Sequence, residues 1–376
     1  MSCRSFARPD AAGSIQRERF PTGRSTTQPH DSVNRTGHLT LDTDRLGPYL
    51  AARITGFEGL RSTEKFSGGQ SNPTFRIKAA SGEYVLRQKP PGTLLPSAHA
   101  VDREYRVLKA LVDTEVPVAR PYLLCEDEAV IGSMFYVMSY VPGRILWKPT
   151  LPGLSRAERA ASFDDMIRVL ALLHSIDIDA VGLSDFGRAG NYFERQIHRW
   201  SRQYRASETE SIDAMERLIE ELPSSVPPND SQVCLIHGDY RLDNLIFHPQ
   251  QARILAVIDW ELSTLGHAMA DLAYFCMCLR MHPSEHIAGL GGVDRTALGI
   301  PKESAMVTRY CELRGIESID HWPFYLTFSF FRLAAICQGV LKRSLDGTAS
   351  NPNAAHVGGM ARTLAEMAVV VLDETG

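Results

Sequence analysis

His237-Gly238-Asp239-Tyr240-Arg241-Leu242-Asp243-Asn244 is the stretch on which the reading of this chain turns. It sits between two apolar runs, Val233 to Ile236 before it and Leu245 to Phe247 after it. A third run, Ile254 to Ile258, ends at Asp259-Trp260-Glu261. Short apolar runs bounded by turn residues read as buried strands. The loop between the first two strands therefore carries Asp239 and Asn244 five residues apart, and the third strand ends on the Asp259 carboxylate. Each residue alone has a plain explanation: Asp forms turns, Asn caps, and Asp259 ends a strand. Taken in order, between apolar strands, they make a set.

That set has the composition phosphoryl transfer requires. The reaction needs a base to orient the acceptor hydroxyl, oxygen ligands for Mg²⁺ and positive charge on the phosphates. The protein-kinase catalytic loop has the same Asp-to-Asn spacing, with a second Asp at a later strand end. On that assignment Asp239 positions the acceptor hydroxyl, while Asn244 and Asp259 hold Mg²⁺. His237 and Gly238 shape the loop, Arg241 and Asp243 brace it or touch ligand, and Trp260 and Glu261 pack behind.

Working outward, Leu39 to Ile54 offers a capped helix. From Gly56 to Tyr140 the pattern is strand-like (TFRIKA, EYVLRQ, MFYVMSY), interrupted by one helix, DREYRVLKALVD. After Val141-Pro142-Gly143 helices dominate, expected over 155–175, 191–206, 210–222, 267–281, 302–314, 322–345 and 355–373. The Gly-rich segment 289–294 follows no strand and reads as a loop. The expectation is an α+β, bilobal, protein-kinase-like fold. It comprises a flexible tail over 1–38, a small β-rich N-lobe with one main helix over 39–140, and a larger helical C-lobe over 141–376.

HGDYRLDN followed by IDWE resembles the aminoglycoside-phosphotransferase and choline-kinase-like family. Residues 86–111, 257–274 and 328–347 are similar to one branch, the phosphotransferase domain attached to acyl-CoA dehydrogenase family members ten and eleven. The resemblance implies ATP and Mg²⁺ as cofactors. It places Ser67, Gly68, Gly69, Gln70, Ser71 and Asn72 in a nucleotide-positioning loop, where backbone N–H groups approach phosphate. Arg87 stands where the fold has a phosphate-binding Lys, with Lys89 as the alternative and Glu104 as the ion-pair partner. Met138, Ser139 and Tyr140 become the hinge, their backbone meeting the adenine edge. Asp259 runs quickly into an apolar helix rather than a long activation segment, which argues for small-molecule acceptors. Asp271, near that helix's start, braces the loop.

Tyr240, Arg241, Arg332, Gln338 and Arg343 are candidate acceptor contacts, on the expectation that the acceptor lies between the catalytic loop and the C-terminal helices. The stretch around Arg332 is apolar and basic, which suits an acyl chain with an anionic handle. The expected acceptor is a hydroxyl on a hydroxyacyl-CoA, with work beside an acyl-CoA dehydrogenase as the implied context. Two alternatives share the fold: an aminoglycoside or amino-alcohol kinase, and a catalytically weak nucleotide-binding protein. A Ser-His-Asp hydrolase is excluded by the lack of G-x-S-x-G, and no flavin-enzyme signature is visible.

Bulk properties agree. The 376 residues are 44% hydrophobic and 22% charged, with a net charge of −4, which gives no footprint for nucleic acid. Seven cysteines, mostly inside apolar stretches, fit buried thiols in a reducing compartment. No signal peptide is visible and no membrane span is expected, because Arg332 and Gln338 interrupt the longest apolar stretch. The expected location is cytoplasmic.

Overall fold

Thr43 opens the first helix, α1 (Thr43–Arg53), because the Asp42 side chain accepts from the Arg45 N–H at 3.1 Å and caps it. The computed structural model describes residues 41–66, 72–90, 100–228, 231–283, 288–348 and 354–374. The expected tail over 1–38 and the loop residues Ser67, Gly68, Gly69, Gln70 and Ser71 lie outside these.

The N-lobe follows as β1 (Leu60–Lys65), β2 (Thr74–Ala79), β3 (Gly82–Gln88), α2 (Val101–Leu111), β4 (Pro121–Cys125) and β5 (Phe135–Ser139). Its strands form one antiparallel sheet in the order β1-β2-β3-β5-β4. The β3 register sets Arg87 opposite Thr74 on one side and Tyr136 on the other. α2 buries Val101, Val107, Leu108 and Leu111, and also Glu104. A carboxylate among those side chains must have a partner, so α2 carries both packing and chemistry.

The C-lobe begins with β6 (Arg144–Ile145) and α3 (Arg156–His174). A capping box, Ser155 with Glu158, starts α3, with bonds of 3.3 and 2.7 Å. Then come α4 (Tyr192–Ser207), α5 (Asp213–Glu221), β7 (Cys234–Ile236), β8 (Leu245–Phe247), β9 (Ile254–Val257), β10 (Thr264–Gly266), α6 (Met269–Arg280) and α7 (Arg295–Leu298). α8 (Glu303–Arg314), α9 (Trp322–Leu345), α10 (Ala354–Gly359) and α11 (Ala361–Asp373) complete it. β7 pairs with β10, and β8 with β6 and β9. The helix from 355 to 373 expected from the sequence is two helices that break at Met360.

By length and composition alone, α9 and the Ala354–Asp373 stretch could each cross a membrane. The α9 window is 78% buried by protein, however, and α4, α6, α10 and α11 all pack on it. It is the central helix of the lobe, and Arg332 and Gln338 survive inside it because protein groups satisfy them. All six described cysteines are free and buried.

His267 is 4% exposed, stacked against Tyr325 at 5.5 Å, and its Nδ1 accepts from Met269 N–H at 3.2 Å. Burial, with His174 adding to it, lowers its pKa to about 4. The unfolded chain then takes up a proton that the folded chain refuses. This contribution is intact above about pH 6.5 and is lost as pH falls towards 4, a loss of roughly 3 kcal/mol in total. In denaturant titrations from pH 7 to 4, His267→Gln should show a shallower fall in stability than the parent. Parallel curves would refute this.

Candidate active site

The centre of the site is a loop bent by its own backbone. Gly238 has φ +84°, and a Cβ there would lie 2.5 Å from the Leu262 carbonyl oxygen, so only glycine fits. Asp271 at the start of α6 accepts from the N–H groups of His237 at 2.6 Å and Gly238 at 2.8 Å. Behind it, His174 Nε2 lies 3.3 Å from the same carboxylate, and His174 Nδ1 is 2.7 Å from the Tyr310 hydroxyl. Burial keeps His174 below its ordinary pKa, so the neutral ring donates Nε2–H to Asp271 and accepts at Nδ1 from Tyr310. Asp271 stays ionised: burial opposes its charge, but the bonds from His174 and His237 outweigh that and lower its pKa. As expected, Asp271 braces the loop, and Gly238 and His237 shape it. The His237 Nε2 lies 3.0 Å from the Ile258 carbonyl oxygen and its ring packs on Trp260.

Asp239 follows, with 22% of its side chain exposed. Asn244 donates Nδ2–H to the Asp239 carboxylate at 3.0 Å and to its carbonyl at 2.9 Å, and Arg241 Nε stands 3.6 Å away. Arg241 also pairs with Asp243 at 2.7 Å. The Ile258 N–H donates to the Asn244 carbonyl at 3.0 Å, which sets Asp259 beside the loop. Asp259 is in the left-handed region, φ 69° and ψ 61°, a cost of about 1–3 kcal/mol that a non-glycine residue bears where its side chain must be aimed.

That aim is towards Arg87. Its Nη2 donates to Asp259 at 2.5 Å, its Nε is 2.7 Å from Glu104, and Glu261 lies 3.9 Å away. Glu104, 1% exposed, also accepts from Asn72 Nδ2 at 2.6 Å and Tyr136 O–H at 3.0 Å. Burial works against the Arg87 charge, yet Glu104, Tyr136, Asp259 and Glu261 outweigh it and push its pKa upward. Burial pushes the Glu104 carboxyl upward against the pull of Arg87. Arg87, not Lys89, therefore occupies the cationic position.

Several expected ligand contacts are instead part of the scaffold. Tyr240 is fully buried, and its hydroxyl donates to the Met166 carbonyl at 2.7 Å. Gln338 is 1% exposed and donates to the Ser207 carbonyl and the Thr209 hydroxyl. Arg332 is 7% exposed and donates to the Gly238 carbonyl at 2.8 Å, so it grips the loop from behind. Arg241, 44% exposed, and Arg343, exposed on α9, are the members of that group that stay open. At the hinge, the Ser139 and Tyr140 N–H groups donate to Arg120 and Glu83 carbonyls, the second at a long 3.4 Å. Those two donors are thus engaged within the protein, and Met138 is paired in the sheet between Val85 and Pro121. His174, Tyr310 and Arg103 escaped the sequence reading, since nothing in a helix's periodicity marks which polar residue will meet a distant segment.

For a metal, no cluster of three or more His, Cys, Asp or Glu occurs among the described residues. Mg²⁺ asks for less: one or two carboxylates with waters and substrate phosphates. Asp259 with the amide oxygen of Asn244 fits that demand.

A small antiparallel lobe with one helix, a larger helical lobe, and a catalytic-type loop between strands define a kinase-type phosphotransferase. The profile of the phosphotransferase enzyme family known as APH matches residues 62–294, and the chain belongs to that family. A crystal structure from Ralstonia eutropha JMP134, provisionally described as an aminoglycoside phosphotransferase, is 48% identical. The match covers 89% of this chain and 99% of that one, with a TM-score of 0.82. Mouse acyl-CoA dehydrogenase family member 10 is 48% identical over 332 residues, 88% of this chain but 31% of that protein. The chain thus spans about a third of that relative. A spectinomycin phosphotransferase solved with ADP and spectinomycin shares the fold at 14% identity, with a TM-score of 0.57 over 87% of this chain and 98% of that one.

Asp271→Ala would strand two loop N–H groups and the His174 donor in the core. A loss of about 3–5 kcal/mol is expected, read as a lower urea midpoint with an unchanged slope. A midpoint equal to the parent's would show that the loop does not depend on this carboxylate.

Proposed function

We propose that the chain transfers the γ-phosphoryl group of ATP to the hydroxyl of a hydroxyacyl-CoA. The observation that carries the reaction type is the joined set Asp239–Asn244 and Asp259–Arg87–Glu104, in which each polar group has a defined partner. Asp239 presents one carboxylate oxygen to Asn244 and Arg241, and the other takes the acceptor's hydroxyl proton. The acceptor oxygen forms its bond to the γ-phosphorus while the bond from that phosphorus to the β,γ-bridging oxygen breaks, and ADP departs. Asn244 and Asp259 would hold Mg²⁺, which supplies neutralising charge for the phosphates when bound. Arg87 remains charged and sets its planar fork on Glu104 and Asp259, which holds positive charge beside the carboxylate assigned to the metal. The spectinomycin enzyme's ADP supports nucleotide use here.

The acceptor reading rests on the side chains that lead away from Asp239. Arg241 lies beside it, half-open, with its Nε 3.6 Å from the Asp239 carboxylate. Gly339 on α9 is flanked by Arg343 and Gln203, and a Cβ there would lie 3.6 Å from the Arg343 guanidinium. Arg343 is exposed and makes no ion pair among the described residues. Accessible arginines on this side suit an anionic acyl carrier better than a polycationic antibiotic. The acyl-CoA dehydrogenase relatives point the same way.

The test is turnover of Mg·ATP with hydroxyacyl-CoAs, hydroxy acids, amino alcohols and aminoglycosides, scored by ADP release and product mass. A phosphorylated hydroxyacyl-CoA is expected, with Asp239→Asn slower by about 10²–10⁴-fold. Full activity in that variant would remove Asp239 from its role. Asp259→Ala should abolish Mg²⁺-dependent nucleotide binding, measured by calorimetry.

Arg343→Ala should raise the KM for the CoA thioester by roughly 10-fold or more, the worth of a charge-assisted hydrogen bond, and leave the KM for ATP in place. Equal shifts in both KM values, or none, would take Arg343 out of the acceptor path.

A further inference from the structure

Arg103 and Glu104 are neighbours on α2, yet they serve different parts of the molecule. Glu104 reaches Arg87 and the sheet. Arg103 reaches the C-lobe: its Nη2 donates to the Phe186 carbonyl at 2.8 Å and to the Ser263 carbonyl at 3.4 Å, and the guanidinium lies 4.0 Å over the Phe186 ring. Nearby on α2, Arg106 pairs with Asp185 and donates to the Gly182 carbonyl at 2.9 Å.

Both acceptors of Arg103 belong to segments that frame the site. Ser263 follows Asp259 by four residues, and its hydroxyl donates at 2.7 Å to the Ile236 carbonyl, where β7 enters the catalytic loop. Phe186 is 1% exposed. Its neighbour Gly187 is pressed so closely on the next strand that a Cβ would lie 2.5 Å from Thr264 Oγ1 and 2.7 Å from the Leu265 nitrogen. Segment 182–187 is thereby wedged against the chain that leaves Asp259.

The chemistry of the contact is unusual for stability alone. Arg103 has no ion pair among the described residues, and burial, with Arg106 nearby, draws its pKa down. Two carbonyls and a ring return less energy to a half-buried cation than a carboxylate would. What they return is direction, since a planar fork on two fixed carbonyls and a ring has one orientation.

We infer that Arg103 is a positioning residue for phosphoryl transfer, clamping α2 to the segment after Asp259 so that Glu104 stays on Arg87 and Arg87 stays on Asp259. In kinases the placement of this helix is a point of control. Here the helix is held by its own sequence, with no activation segment required. The inference rests on the active-site reading above.

Arg103→Met keeps the stem and removes the fork. It should lower kcat by roughly 10–100-fold, the scale of an ångström-level misplacement, with the acceptor KM and the melting temperature close to the parent's. Arg103→Lys should recover part of that loss. The double variant Arg103→Met/Glu104→Gln should be no slower than Glu104→Gln alone, because both changes break one linkage. Parental kcat in Arg103→Met, or losses that multiply in the double variant, would overturn the clamp. If Arg103→Met does not fold, Phe186→Leu removes the ring and leaves the carbonyl, and it should show a smaller kcat loss; parental kcat there would also overturn it. Asp239→Asn separates the two ideas. Full activity in that variant defeats the active-site reading, whereas an inactive Asp239→Asn beside a fully active Arg103→Met defeats the clamp alone.

Discussion

Arg87 is the constraint around which the rest is arranged. It is a strand residue of the small lobe whose guanidinium lies between Glu104 of α2 and Asp259 of the large lobe, at 2.7 and 2.5 Å. A buried cation of this kind is tolerated only where carboxylates meet it and their spare lone pairs are also satisfied. Asn72 and Tyr136 satisfy Glu104. The β3 register that sets Arg87 against Tyr136 is therefore part of the electrostatics, because a one-residue slip would turn the guanidinium to the other face of the sheet. A lysine could meet one carboxylate at a time as a point charge; the arginine fork addresses both sides at once.

The catalytic-type loop follows a second rule: its backbone is held by side chains from helices that come later in the chain. Asp271 takes two of its N–H groups and Arg332 its Gly238 carbonyl. Polar residues buried in apolar helices are expensive, and each one found here is hydrogen-bonded to a backbone group or to another buried polar residue. His174 of α3, Asp271 of α6 and Arg332 of α9 are thus loop support.

That rule explains what was legible in the sequence. The strands flanking 237–244 and most helix spans could be read because periodicity and local spacing encode them, whereas the Arg87–Glu104 pairing was legible only through the family resemblance. The roles of Tyr240, Arg332 and Gln338 could not. A buried arginine needs an anion or a carbonyl, and the sequence does not say which; for Arg332 it is the Gly238 carbonyl, across 94 residues. Tyr240 was misread for a related reason, since it adjoins Asp239 in sequence but turns inward to Met166. The break at Met360 escaped because apolar residues continue through it.

The same division separates reaction from acceptor. The candidate groups for phosphoryl transfer are fixed by short-range contacts between a loop and two strand ends. Candidate acceptor groups such as Arg343 stand on helix faces, where few neighbours dictate identity and substitution costs little stability. A fold can therefore keep its transfer centre while its helical face changes what reaches it. On the proposed reading that face offers the exposed Arg343 to the acceptor, so the charge of the acceptor is selected one layer away from the chemistry.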